Sequence, residues 1–203
     1  AAYRHGVAVV EVSIAATDDA LTRFANNGIH QNVAERSTVL SVRAVTNGRT
    51  ARASTNRLHR DGIQAVVDEA VELAKASEPI PDLLPLYEDG SEVQHPDRFS
   101  DAAAGSTPAS RAEGVGEAIR LVEAEGLTAA GIYATAENAE ALLNSRGLFR
   151  YYAETLTQFS ITVMGADSSG WAKATSPIHD DVDPVRLAER AVRKAVRSRS
   201  PSE

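Results

Sequence analysis

The sequence of 203 residues has no cysteine, one methionine, one tryptophan and only 5% aromatic residues. Without cysteine there is no disulfide framework, no thiolate ligand for zinc and no thiol nucleophile, although compartment is left open. Long apolar runs are missing as well. Stretches such as Val7-Ala8-Val9-Val10 fall far short of the roughly 20 residues that cross a bilayer, and no secretory signal pattern is visible. Positive charge is the minority: 21 Lys and Arg face 28 Asp and Glu, a formal net charge of −7, and the basic residues are scattered until the last fifteen positions. That balance argues against a nucleic-acid surface. A start methionine is also lacking, since the sequence opens Ala1-Ala2, and this predicts a piece cut from a longer chain. What is present is 43% hydrophobic residues on a length that hides roughly 70% of its unfolded surface, enough for one domain or a tightly joined pair.

The two ends of the chain resemble one another, residues 7–77 against residues 127–198. SIAATDDA at 13–20 corresponds to GIYATAEN at 131–138, and the turn-forming Asn26-Asn27-Gly28 to Asn144-Ser145-Arg146-Gly147. Ala34-Glu35 followed by Ser41-Val42 matches Ala153-Glu154 followed by Ser160-Ile161, and ARAST at 51–55 matches AKATS at 172–176. Four blocks in one order at a nearly constant shift predict an internal duplication. Within each half, β-branched stretches at 37–45 and 156–164 lead into Asn47-Gly48 and Ser169-Gly170, so each half is expected to carry a hairpin.

Each hairpin is followed by a helical pattern. Ile63, Val66, Val67, Ala70, Leu73 and Ala74 form one stripe, with Asp61 as N-cap and Gln64 completing a capping box. Ala188, Ala191, Val192 and Ala195 form another, opened by Asp183-Pro184. A third helix over about 109–125 starts from Thr107-Pro108 or from Ser110-x-x-Glu113, with Val115, Ala118, Ile119 and Val122 on one face. No equivalent precedes the first half. The connection at 78–106 holds Pro79, Pro81, Pro85 and Pro96 and the stretch DGSE at 89–92, and is expected to be ordered around Leu83, Leu84, Leu86 and Tyr87. The fold class read from this order is α+β: mainly antiparallel sheet with helices on one face.

Chemistry-bearing patterns are sparse. His5, His30, His59, His95 and His179 are far apart, without helical metal spacing. The acidic group His179-Asp180-Asp181-x-Asp183 offers cation ligands on paper, against the plainer reading of a solvated loop in which Asp183 caps a helix. Gly114-x-Gly116 lies inside a helix rather than between strand and helix, which excludes a phosphate loop. No G-x-S-x-G elbow is present. The basic tail Arg190, Arg193, Lys194, Arg197 and Arg199 reads as the solvated face of the last helix or as an anion-binding strip, and Trp171 as a contact marker or a packed residue. No residue is assigned a catalytic, cofactor-binding or metal-binding role.

The run VRAVTNGRTARASTNRL at 42–58 followed by IQAVVDEAVELAKA at 63–76 resembles the N-terminal domain of the TldD/PmbA family. Asn144-Ser145-x-Gly147, the Tyr-x-Glu-Thr stretch at 152–155, Ser169-Gly170 and LAERAVRKA at 187–195 are similar to later family segments, while Thr50 stands where a second glycine is common. The resemblance implies a cytoplasmic peptidase system, also described as modulating DNA gyrase, in which two related subunits pair and act on peptides and unfolded polypeptides. It places zinc on an H-E-x-x-x-H helix beyond this domain, with the glutamate as general base, and none of those residues has a counterpart here. The turn forms lean to the PmbA-type subunit. The expectation is therefore a non-catalytic domain over residues 1–203 that guides peptide substrate along an exposed strand edge and takes part in a homo-oligomer or heterodimer, without zinc, nucleic acid or membrane of its own. The alternative is a stand-alone regulatory binding module.

Overall fold

The computed structural model describes residues 6, 7, 9–88 and 96–200. In chain order these form β1 (Val9–Ala25), β2 (Gly28–Thr46), β3 (Arg49–Thr55), α1 (Arg60–Ala76), α2 (Asp101–Ala104), α3 (Pro108–Ala124), β4 (Thr128–Asn144), β5 (Phe149–Met164), β6 (Ser169–Ser176) and α4 (Pro184–Arg197). The six strands make one antiparallel sheet in the order β3-β2-β1-β4-β5-β6, which fits the expected α+β class. The strands of 16 to 19 residues are about three times the usual length. Two-residue turns explain how such ribbons stay in register. Asn26 and Asn27 (φ 51° and 59°), and Asn47 and Gly48 (φ 48° and 70°), put both loop positions in the left-handed region that a primed hairpin turn needs.

By contacts the chain divides into two compact units, each with its own core: residues 1–17, 37–96 and 138–153, and residues 18–36, 97–137 and 154–203. In the first unit, Leu40, Val42 and Ala44 alternate along β2 and pack with Ala53 of β3 against Val66, Val67, Ala70, Val71 and Ala74 of α1. The helix begins two residues earlier than the sequence pattern places it. His59 is the N-cap, its Nδ1 accepting from the Gly62 N–H at 3.2 Å, and Asp61 lies in the first turn. Gln64 donates to Asp68 instead of closing a capping box, because the shifted start puts it two positions past N3. The buried stripe differs from the expected one in that Val71 is buried and Leu73 is exposed. In the connection, Leu86 is the buried anchor, whereas Leu84 and Tyr87 face solvent. The stretch DGSE at 89–92, His5 and His95 lie outside the described residues.

The second unit packs α3 and α4 over the buried face of β5, where Thr155, Thr157, Phe159, Ile161 and Val163 alternate inward. Phe159 stacks on Phe24 at a centroid distance of 5.9 Å and meets the edge of Tyr133 at 5.6 Å. Such pairs add about 0.5–1.5 kcal/mol each beyond their burial. Thr107 caps α3 and exchanges bonds with Ser110, so of the two starts open in the sequence the Thr107-Pro108 one forms. The expected turn at Ser169-Gly170 is displaced. The turn occupies residues 165–168, and Gly170 lies within β6 directly beneath α4, where a Cβ would stand 2.0 Å from the Ala191 carbonyl oxygen. Gly170 is thus a contact glycine, and glycine's signal in a sequence does not distinguish the two uses.

Candidate functional site

The sheet ends in two short edge strands, β3 and β6. On β3 the Thr50 carbonyl faces away from β2 and accepts from Ser77 Oγ at 3.4 Å. On β6 the Trp171 carbonyl faces away from β5 and accepts from Lys194 Nζ at 2.6 Å. Backbone groups of alternate residues point to the same side of an antiparallel ladder. Arg52 and Ser54 on one edge, and Lys173 and Thr175 on the other, therefore turn N–H and C=O outward as well. The start of the β3 edge is covered, since Ile80 N–H donates to the Gly48 carbonyl at 2.8 Å and Arg49 reaches the Lys75 carbonyl at 2.8 Å.

Each unit also holds a cavity. In the first, about 480 Å³ is enclosed by Ile14, Ala15, Ala141, Leu142 and Tyr151, with Glu140 and Arg150 on the wall. Nearby Leu143 and Phe149 are exposed apolar side chains on the β4–β5 hairpin. The hairpin loop is held by Asn144, whose side chain accepts from the Arg146 N–H at 2.8 Å and donates to the Tyr87 carbonyl at 2.8 Å. In the second unit, Arg111 lines a cavity of about 250 Å³ together with Asp18, Arg36, Ser106, Thr135 and Glu137. Arg111 is 1% exposed. Burial lowers its pKa from the ordinary arginine value, opposed in part by Tyr133.

The residues singled out in the sequence do not converge. His179 Nδ1 lies 3.2 Å from Asp180 Oδ1 and Nε2 lies 3.3 Å from the Tyr133 hydroxyl. Asp181 accepts from Ser176 Oγ at 2.7 Å, and Asp183 caps α4 through the N–H groups of Val185 and Arg186. Each acid is thus engaged separately, and among the described residues no three His, Asp or Glu lie close enough to hold a metal ion. His30 is exposed on β2. Gly114 admits α3 against Tyr133, where a Cβ would come within 3.2 Å of the ring. Arg193 pairs loosely with Glu189 at 3.9 Å, and Arg199 reaches the Glu125 carbonyl, so the basic tail is an interspersed, solvated face. Trp171 is half exposed and donates from Nε1 to Ser160 Oγ at 3.2 Å.

Residues 10–74 match the model of PmbA/TldA metallopeptidase domain 1, and residues 102–199 match that of the PmbA/TldA metallopeptidase central domain. The chain belongs to the PmbA/TldD family. Solved structures agree in fold. A candidate modulator of a DNA gyrase from Thermotoga maritima superposes with a TM-score of 0.79 at 16% identity, over 96% of this chain and 45% of that one. TldE from Thermococcus kodakarensis gives 0.76 at 16% identity, over 97% and 47%. A candidate modulator of DNA gyrase from Bacteroides thetaiotaomicron gives 0.75 at 17%, over 97% and 47%. The chain thus spans under half the length of each. No curated protein matches it by sequence.

A PmbA/TldD metallopeptidase implies a metal, and the donor set among the described residues does not fit one. Asp181 and Asp183 are occupied as acceptors for Ser176 and for the α4 N-terminus, which leaves His179 beside the single carboxylate of Asp180. Two features escape the sequence reading: the buried Arg111, which sits in the α3 pattern like any other polar position, and the outward β3 and β6 edges, which depend on strand order. Among the described residues no helix is long and apolar enough to cross a membrane.

Proposed function

We propose that this chain is a non-catalytic, substrate-guiding and assembly part of a PmbA/TldD-type metallopeptidase, on the PmbA-type side of a pair of related cytoplasmic subunits. Zinc belongs to residues outside this stretch. The observation that carries the reading is the pair of edge strands with outward backbone groups at Arg52, Ser54, Lys173 and Thr175. An extended polypeptide adds to such an edge through main-chain hydrogen bonds and gains affinity with little sequence preference, which suits peptides and unfolded polypeptides as substrates. The common order of three strands followed by a helix in each half supports descent from a duplicated unit.

Amide hydrogen exchange with and without an unstructured peptide tests this reading. Slower exchange of the N–H groups at 52, 54, 173 or 175 is expected on saturation. Unchanged exchange on both edges at millimolar peptide removes the guiding role. The same chain should hydrolyse no peptide, and tightly bound stoichiometric zinc would contradict the non-catalytic assignment. Two of the similar structures are described as modulators of DNA gyrase, and the second reading is accordingly a regulatory module that binds a partner without enzymatic activity. The length of the natural open reading frame separates the two, since the first reading requires a further catalytic or pairing segment.

A further inference from the structure

Arg111 is a buried cation whose hydrogen-bonding capacity is not fully spent. Its guanidinium carries five N–H donors in a fixed fork and never loses its charge in water. Three contacts are made, all to neutral oxygens and all long: Nε to Thr22 Oγ1 at 3.4 Å, and one terminal nitrogen to the Ser106 carbonyl at 3.2 Å and to Thr135 Oγ1 at 3.4 Å. Thr22 is itself oriented for this, since its hydroxyl hydrogen goes to Asn32 Oδ1 at 2.5 Å and leaves a lone pair for Arg111. The other terminal nitrogen, Nη2, makes no hydrogen bond among the described residues, and no carboxylate pairs with the group.

Two carboxylates do line the same cavity, Asp18 and Glu137, yet both serve Arg36. Asp18 is ion-paired with Arg36, and Glu137 adds to the field on that same guanidinium. Burying a cation without a counter-charge is expensive, and nature resolves it by pairing.

We propose that the cavity floored by Arg111 is a binding site for a carboxylate, which the guanidinium fork receives through its free terminal nitrogen. At about 250 Å³ the cavity is below the size of common ligand pockets and suits the end of a molecule. The carboxyl terminus of a peptide is the source that fits the guiding role, and a free small carboxylate is the other. The choice of a peptide terminus rests on that role, whereas the site itself does not.

The test follows the Arg111 side-chain Nε–H signal of ¹⁵N-labelled protein by NMR. The titrants are acetate, acetyl-glycyl-alanine, the C-terminal amide of that dipeptide, and sodium chloride at matched ionic strength. Saturable shifts are expected with both acids and not with the amide or the chloride. A stronger response to the dipeptide acid identifies a peptide terminus, and an equal one identifies free carboxylates. Equal shifts from amide or chloride, or none from either acid at 50 mM, overturn the site. In Glu137→Gln, removing a negative charge from the cavity lining should tighten carboxylate binding several-fold, and an unchanged affinity counts against the cavity as the locus. The readout lies on Arg111, away from the β3 and β6 amides, so failure here and failure of the edge-strand reading are separately visible.

Discussion

Gly170 and Asn27 show how much rests on single side chains. A methyl group at Gly170 would stand 2.0 Å from the Ala191 carbonyl oxygen and 2.7 Å from the Ala195 nitrogen, both backbone atoms of α4. Gly170→Ala should therefore lift α4 off β6 and cost about 1–3 kcal/mol, read as a thermal midpoint several degrees lower. Asn27 combines a φ of 59° with two side-chain bonds to the start of β4, accepting from the Ala129 N–H at 2.6 Å and donating to the Leu127 carbonyl at 3.1 Å. Asn27→Ala should lose about 1–3 kcal/mol, and Asn27→Gly should recover only the backbone part. Tyr133 is a pH probe: burial raises its pKa above 10. The folded state keeps the phenol proton longer than the unfolded chain, so this contribution is complete below pH 10 and disappears as pH rises through the folded pKa. Thermal melts from pH 8 to 11 should show the wild type falling more steeply above pH 10 than Tyr133→Phe.

At the scale of elements, the capping residues give the sharpest expectation. Thr107 accepts from the Ser110 N–H at 3.1 Å while Ser110 Oγ accepts from the Thr107 N–H at 2.9 Å. Thr107→Ala should cost about 1 kcal/mol, measured by urea denaturation. Helices α3 and α4 were legible because their starts are written locally: a threonine or aspartate followed by proline leaves little freedom. The start of α1 was not, since histidine is an unusual cap and Asp61 two positions later fits the usual rule better. The turn at Asn26-Asn27 and the hairpin at Asn47-Gly48 were legible from turn chemistry, whereas the turn before β6 was misplaced because Gly170 answers to a helix far along the chain. Lys194 caps an outward carbonyl on the β6 edge. Lys194→Met should leave that edge stickier, visible as increased oligomer in light scattering.

For the molecule as a whole, composition sets solution behaviour: with a pI near 5.3, solubility should pass through a minimum close to that pH. The α+β class and the family were readable, because strand periodicity and the order of segments survive in a single sequence. The Arg111 cavity was not, because its lining comes from β1, β2, α2, α3, β4 and the loop between α2 and α3, and no local pattern relates residues so far apart. The strand order carries a temporal consequence. β1 is bonded on one side to β2, its immediate successor, and on the other to β4, which starts about a hundred residues later. At about 5–20 residues per second, a ribosome leaves the far side of β1 without its partner for some 5–20 seconds. During that interval a 17-residue strand is an open template, and the chain's exposure to misassembly is set by the pace of its own synthesis.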